Sequence, residues 1–239
     1  MIPVICQIGP LQIYSYGVMF AIAVFVCAFL LSREAHALSI PPESIYDFIF
    51  WVVLAGILGA RIFYILLNVD YFLHNPIETI KIQNGGIAWQ GGLIGGFLAG
   101  LIYIRRKKWP LWKFLDLTAP YIALGQAIGR IGCFLNGCCY GKEVSWGIYF
   151  PVHHAHLHPT QLYDSFGLFV MFFLLKKFQK TSRAAGHVFI VYLIAACSQR
   201  FLIEFFRADH DIVVWGLSIF QLVCLMIVGL SVIVLIRRR

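Results

Sequence analysis

The chain has 239 residues, of which 60% are hydrophobic and 13% charged, and its mean hydropathy is +0.81. An ordinary soluble domain carries about a quarter charged residues, so this balance excludes that class and places the protein in a membrane. The formal net charge of +8 reads as a topological signal with attraction to anionic lipid headgroups, and it implies no nucleic-acid partner.

Apolar stretches near the ~20 residues needed to cross the hydrocarbon recur along the chain, each bounded by charges, Pro or Gly. Seven spans are predicted, at 13–31, 45–67, 86–104, 115–135, 161–175, 187–206 and 213–236. The fifth is the shortest. It offers about 15 residues before Lys176 and needs Pro159 in its first turn and snorkelling lysines to cross. The N-terminus lacks a basic n-region and a small-residue cleavage site, so the first helix is expected to remain in the mature protein. No linker, repeat or low-complexity segment marks a second domain. The expectation is an all-α polytopic membrane protein, a single domain over 1–239, with the outer loop 136–160 as a small cap.

Orientation follows from the basic residues, which are in excess in cytoplasmic loops. Arg33, Arg105, Arg106, Lys107, Lys108, Lys113, Lys176, Lys177, Lys180, Arg183 and Arg237 to Arg239 fall on one side, against Lys81, Lys142 and Arg207 on the other. With an odd number of spans, the N-terminus is expected outside and the C-terminus in the cytoplasm.

Arg61, Arg130 and Arg200 lie inside apolar spans, where an unpaired charge costs about 2.5–3.5 kcal/mol or more, so each is expected to face a protein interior or a wet cavity. In the expected topology all three reach one depth just below the outer surface, with Tyr16 and Gln90 in the same layer. Arg200, Glu204 and Arg207 are spaced i, i+4, i+7, which puts them on one helical face with the two arginines ~10 Å apart along the axis. One reading is a structural Arg200–Glu204 ion pair. It leaves Arg61 and Arg130 unexplained. A cluster of cations with few carboxylates calls for an anion, and guanidinium geometry suits phosphate, which in this layer is a phospholipid headgroup.

The third span reads "GGIAWQGGLIGGFLAG" and the fourth carries Gly125, Gly129 and Gly132. Most of these fit close helix packing, while those near Gln90 and Arg130 also leave room for a bulky ligand. Histidines 153, 154, 156 and 158 follow Cys133, Cys138 and Cys139. Their spacing matches no familiar zinc pattern and adjacent cysteines fit one tetrahedral site poorly, so no metal and no cofactor is expected. A disulfide on the oxidising side is the more natural expectation. Cys27, Cys197 and Cys224 read as buried small apolar residues.

"GRIGCFLNGCCYG" followed by "HPTQLYDS" resembles the central signature of the bacterial prolipoprotein diacylglyceryl transferases. "YSYGVMF", "AGILGARIFY", "GGIAWQGGLIGG", "LDLTAP" and "RFLIEFFR" occur in that family's order. The resemblance implies a multi-pass enzyme of the bacterial cytoplasmic membrane that moves the diacylglyceryl group of phosphatidylglycerol to the lipobox cysteine of a prolipoprotein signal peptide. By motif position it implies that Arg130 and Arg200 handle the phospholipid and take part in catalysis, and that Arg207 and Glu204 complete the helix-six motif. Tyr16, Arg61, Tyr64, Asp116, Asn136, Gly141, His158 and Tyr163 also fall on motif positions. Asp116 reads equally as a cap or as a partner of Lys113, and Tyr163 as an interfacial belt residue.

The chain departs from the family's common pattern at Gln90 for His, Cys133 for Asn and Cys138 for Glu. A glutamine does not titrate, so Gln90 is expected to orient a headgroup, with thiol activation left to the field of the arginines or to His158. Two rival functions use the same residues: a lipid-binding or lipid-moving protein without chemistry, and a redox protein employing Cys133, Cys138 and Cys139. The polar groups gather in the outer half with no inner set, which speaks against a transport path. No C-x-x-C pair supports the redox reading.

Overall fold

The structure is a computed structural model and describes the chain except Pro10, 80–84, Arg183, 209–211, Trp215 and 238–239; of residues 8, 11 and 212–214 only the backbone is described. The expectations for Lys81, Arg183, Arg238 and Arg239 therefore lie outside the described residues.

The described residues are mostly helical. Long helices run over Ser15–Glu34 (α1), Pro42–Leu67 (α2), Trp89–Arg106 (α4), Leu111–Asn136 (α5), Thr160–Thr181 (α6), His187–Glu204 (α7) and Ile219–Arg237 (α8), with a short helix, Val69–His74 (α3), after α2. Four segments, Ser15–Leu38, Pro42–Leu67, His187–Glu204 and Ile219–Arg237, are long and apolar enough to cross a membrane. The remaining long helices fall short in hydropathy because they hold the glycines and polar groups, such as Gln90, Arg105 and Arg106 on α4 and Asp164 and three lysines on α6. Large apolar side chains such as Phe25, Phe166 and Met226 are exposed, as lipid contact requires.

The helix bounds correct the sequence reading in three places. The span expected at 161–175 is a 22-residue helix, α6. Lys176 does not end it, because its ammonium donates to Gln179 Oε1 at 2.8 Å and lies 5.3 Å from the Tyr121 ring centroid, so the charge is held by protein partners. The last helix starts at Ile219 rather than 213, since Ile212–Val214 and Leu217–Ser218 pair antiparallel ahead of it. Helix α7 stops at Glu204, so Arg207 lies beyond it and not on a continuing helical face.

The described chain divides into two compact units, Met1–Leu31 with Trp112–Arg239, and Ser32–Leu111. In the second unit α2 and α4 pack backbone to backbone. A methyl group on Gly91 would fall within bonding range of the Gly59 carbonyl oxygen, and one on Gly95 would strike Ala55. These glycines are thus explained by helix approach.

In the first unit α5 is the central helix. Ala119, Ala123 and Ala127 present a small-residue face on which Leu168, Met171 and Leu175 of α6 and Val188 and Tyr192 of α7 close. Asp116 near the start of α5 accepts from the Gly186 and Phe189 amides at 2.6 and 2.9 Å. It therefore caps the N-terminus of α7, which satisfies donors that have no intrahelical partner. The loop expected as a cap contains an antiparallel hairpin, Glu143–Phe150 with Ala155–Leu157. Phe150 at its end is fully buried and meets Phe134 of α5 edge-on at 6.0 Å.

Candidate active site

Three chain segments of the first unit meet at the C-terminal end of α5. The Lys142 amide donates to the Phe206 carbonyl at 2.8 Å, and Gly141 pairs with Arg207. The join requires glycine: a methyl on Gly141 would lie 2.5 Å from His158 Cβ and 2.6 Å from the Phe206 carbonyl oxygen. Helix α6 enters from the other side. Thr160 Oγ1 donates to the Cys139 carbonyl at 2.8 Å, Gln161 Nε2 to the Cys138 carbonyl at 2.6 Å, and Ser165 Oγ to the Ala127 carbonyl at 2.9 Å.

These joins border a narrow cleft lined by Arg130, Cys139, Thr160, Gln161, Asp164, Arg200, Ile203 and Arg207. Arg130 Nε is 2.7 Å from Asp164 Oδ2. Gln199 Nε2 donates to Asp164 Oδ1 at 2.8 Å and so fixes the carboxylate that orients Arg130. Arg200 Nη2 is 2.7 Å from Glu204 Oε2, Arg207 Nε is 3.8 Å from the same oxygen, and Ser218 Oγ donates to Glu204 Oε1 at 3.0 Å. Asp164 and Glu204 are the carboxylates that the described cleft residues set against these guanidiniums. Among the described residues neither the buried Arg200 Nη1 nor Gln161 Oε1 has a hydrogen-bond partner. A buried cationic donor left unmet is a place for an anion, because leaving it unpaired costs about 1–3 kcal/mol or more.

Beside the cleft, Cys133, Cys138 and Cys139 bring their sulfur atoms within 4.8 Å of one another. Adjacent cysteines thus come close to a third. Gly137 at φ 78° and Cys139 at φ 60° curl the chain so that the Cys138 amide returns to the Cys133 carbonyl at 3.2 Å. The Cys139 thiol is held below its ordinary range, first by hydrogen bonds from Cys133 and Cys138 and then by the charges of Arg207 and Arg130.

A sequence model of the prolipoprotein diacylglyceryl transferases matches residues 3–237. The phosphatidylglycerol–prolipoprotein diacylglyceryl transferase of Bacillus cereus strain G9842 is 35% identical over 245 aligned positions, which cover 98% of this chain and 90% of that protein. The enzyme of the same name from Clostridium tetani strain Massachusetts / E88 is 34% identical, with 96% of each chain covered. This chain belongs to the prolipoprotein diacylglyceryl transferase family.

The residues expected from the family's motifs divide in the structure. Arg130, Arg200, Glu204 and Arg207 come together in the cleft region, and Gly141 shapes its rim. Asn136 ends α5, two residues before Cys138. Tyr16 packs over Gly132 on the same end of α5. His158 does not line the cleft; its ring meets Trp146 at 4.7 Å and Phe206 at 5.6 Å, and its Nδ1 is 3.3 Å from the Tyr163 hydroxyl. Arg61 and Gln90 belong to the second unit. Arg61 is buried and donates to the carbonyls of Glu78, Thr79, Gly85 and Gly86, so it organises that unit's own backbone. Gln90 is exposed in the first turn of α4.

In this prolipoprotein diacylglyceryl transferase the sequence reading missed Asp164, Gln161 and Gln199. A signal was present. Gln161, Asp164 and Ser165 stand at i, i+3, i+4 in an apolar helix, and an aspartate there invites the same default reading as the intramembrane arginines.

Proposed function

We infer that this protein transfers the diacylglyceryl group of phosphatidylglycerol to the thiol of a lipobox cysteine in prolipoproteins, the first step of lipoprotein maturation. The observation that carries the reading is the buried Arg200 Nη1, a cationic donor without a hydrogen-bond partner among the described residues, in a cleft lined by three arginines. Attack of the substrate thiolate on the glycerol carbon forms a C–S bond and breaks the C–O bond to phosphate, and glycerol phosphate leaves with the electron pair. Charge gathers on the leaving phosphate, so preorganised guanidiniums lower the barrier.

Arg130, held by Asp164, and Arg200, held by Glu204, are assigned to the phosphate; Arg207 supplies further positive field. Gln161 Oε1 accepts from a headgroup hydroxyl. His158 is a positioning residue, since its backbone receives the Gly141 amide at 2.9 Å. Seven membrane spans, an outer N-terminus, a cytoplasmic C-terminus and residence in the bacterial cytoplasmic membrane complete the proposal. They are supported by the basic bias of the loops and the seven long helices.

The test is conversion of a lipobox peptide in phosphatidylglycerol vesicles to a thioether-linked product. Arg200→Lys keeps the charge but not the forked geometry, and should lower turnover at least tenfold. Full activity of that variant removes the assignment.

A further inference from the structure

The transferase chemistry above leaves one group of side chains unused. Cys133, Cys138 and Cys139 gather their sulfur atoms within 4.8 Å, and Cys139 lines the same cleft as the three arginines. Neighbouring cysteines ordinarily diverge. Here the left-handed backbone at Cys139, φ 60°, reverses that, although such a conformation costs a non-glycine residue roughly 1–2 kcal/mol. The turn is further tied down by the Thr160 hydroxyl on the Cys139 carbonyl and the Gln161 amide on the Cys138 carbonyl. Strain that the surroundings hold in place gathers at functional sites.

A tetrahedral cation with sulfur ligands at ~2.3 Å keeps those ligands about 3.8 Å from one another. A disulfide would draw two sulfurs to about 2.05 Å and leave the third over. Three mutually close sulfurs match the first arrangement. Three protein ligands with a fourth position open are also the pattern of metal sites that act on a substrate rather than merely hold a fold.

The reaction has a need that such an ion meets. Among the described cleft residues the arginines cannot take a proton at working pH, and Asp164 and Glu204 are committed to guanidiniums. Metal coordination deprotonates a thiol outright.

We propose that Cys133, Cys138 and Cys139 bind one thiophilic divalent cation of the zinc class as thiolates, and that its fourth position takes the substrate cysteine sulfur. This rests on the transferase reading. The substrate S–H bond breaks as sulfur coordinates, and the proton passes to water. A sulfur lone pair then forms the bond to the glycerol carbon, the C–O bond breaks, and glycerol phosphate departs with the electron pair; the metal keeps its oxidation state.

The full-length protein, reduced and stripped with a chelator, is titrated with Co²⁺. Thiolate-to-metal charge-transfer bands saturating at one equivalent are expected, lost in Cys133→Ser and in Cys139→Ser and retained in Cys197→Ser. Absence of the bands, their survival in a triple Cys133→Ser, Cys138→Ser, Cys139→Ser variant, or a disulfide joining two of these three in protein isolated without reductant overturns the site. In the peptide assay the stripped parent should slow at least about tenfold and recover with Zn²⁺; unchanged turnover overturns the role in thiol activation. If zinc-loaded protein lipidates no peptide, the transferase reading fails, and the cobalt titration still decides the site.

Discussion

Arg130 of α5 and Asp164 of α6 form a 2.7 Å ion pair in which the carboxylate side chain is 7% exposed and the guanidinium 26%. Removing one partner of a buried pair leaves an uncompensated charge and costs about 3–5 kcal/mol, and the partial exposure of Arg130 places this pair at the lower end. Asp164→Ala should therefore destabilise the protein strongly, and the Arg130→Ala, Asp164→Ala double variant should be more stable than the two single losses imply, with a coupling of about 1–3 kcal/mol. Unfolding in detergent measures it. Additive losses would mean that the pair does not hold α5 to α6.

Asp116 falls on a motif position of the family, yet its two oxygens accept from the Gly186 and Phe189 amides. A cap of this kind contributes about 0.5–2 kcal/mol. Asp116→Ala is expected to lower the unfolding midpoint while the KM for phosphatidylglycerol stays at the parent value. A raised KM with unchanged stability would return Asp116 to the substrate.

The two sides of the α2–α4 contact give opposite expectations for the same substitution. A methyl on Gly95 would strike the Ala55 backbone, whereas one on Gly96 would sit 3.5 Å from the Val52 carbonyl oxygen, an ordinary contact. Overpacking costs typically about 1–3 kcal/mol. Gly95→Ala should lose that much or fail to accumulate in membranes, and Gly96→Ala should behave like the parent. Equal tolerance of both would show that the helices can part at little cost.

What the sequence disclosed and what it hid have a common cause. Arg130 and Arg200 stood out because a lone charge in an apolar run is costly wherever the run folds, so location alone marked them. Asp164 lies in an equally apolar run but was read as part of a motif string, and only the approach of α6 to α5 shows whose counter-ion it is. Adjacency in the chain suggests that Cys138 and Cys139 diverge, and only the left-handed backbone at Cys139 shows that their sulfurs meet. Arg61 carried the same signal as Arg130, and the difference lies in the carbonyls of Thr79, Gly85 and Gly86 that a distant part of its own unit brings to it. Apolar run length located the long helices. It misplaced the ends where a tertiary partner, such as Tyr121 under Lys176, changes the cost of a charge.

Glu204 holds Arg200 at 2.7 Å and stands 3.8 Å from Arg207, with only 1% of its side chain exposed. This carboxylate does in part what a substrate phosphate would do, by neutralising largely buried guanidiniums. Glu204→Gln keeps the size and a hydrogen-bonding partner for Ser218 but removes the negative charge, so the cleft loses one counter-charge. The variant should unfold at a lower temperature than the parent in phosphate-free buffer. A ligand that binds only the folded state stabilises it by RT ln(1 + [L]/Kd), about 2.7 kcal/mol at a hundredfold excess over Kd. Inorganic phosphate should therefore raise the midpoint of Glu204→Gln more than that of the parent, while chloride at equal ionic strength should not. Equal shifts in the two proteins would mean that Glu204 and the phosphate do not compete for the same guanidiniums.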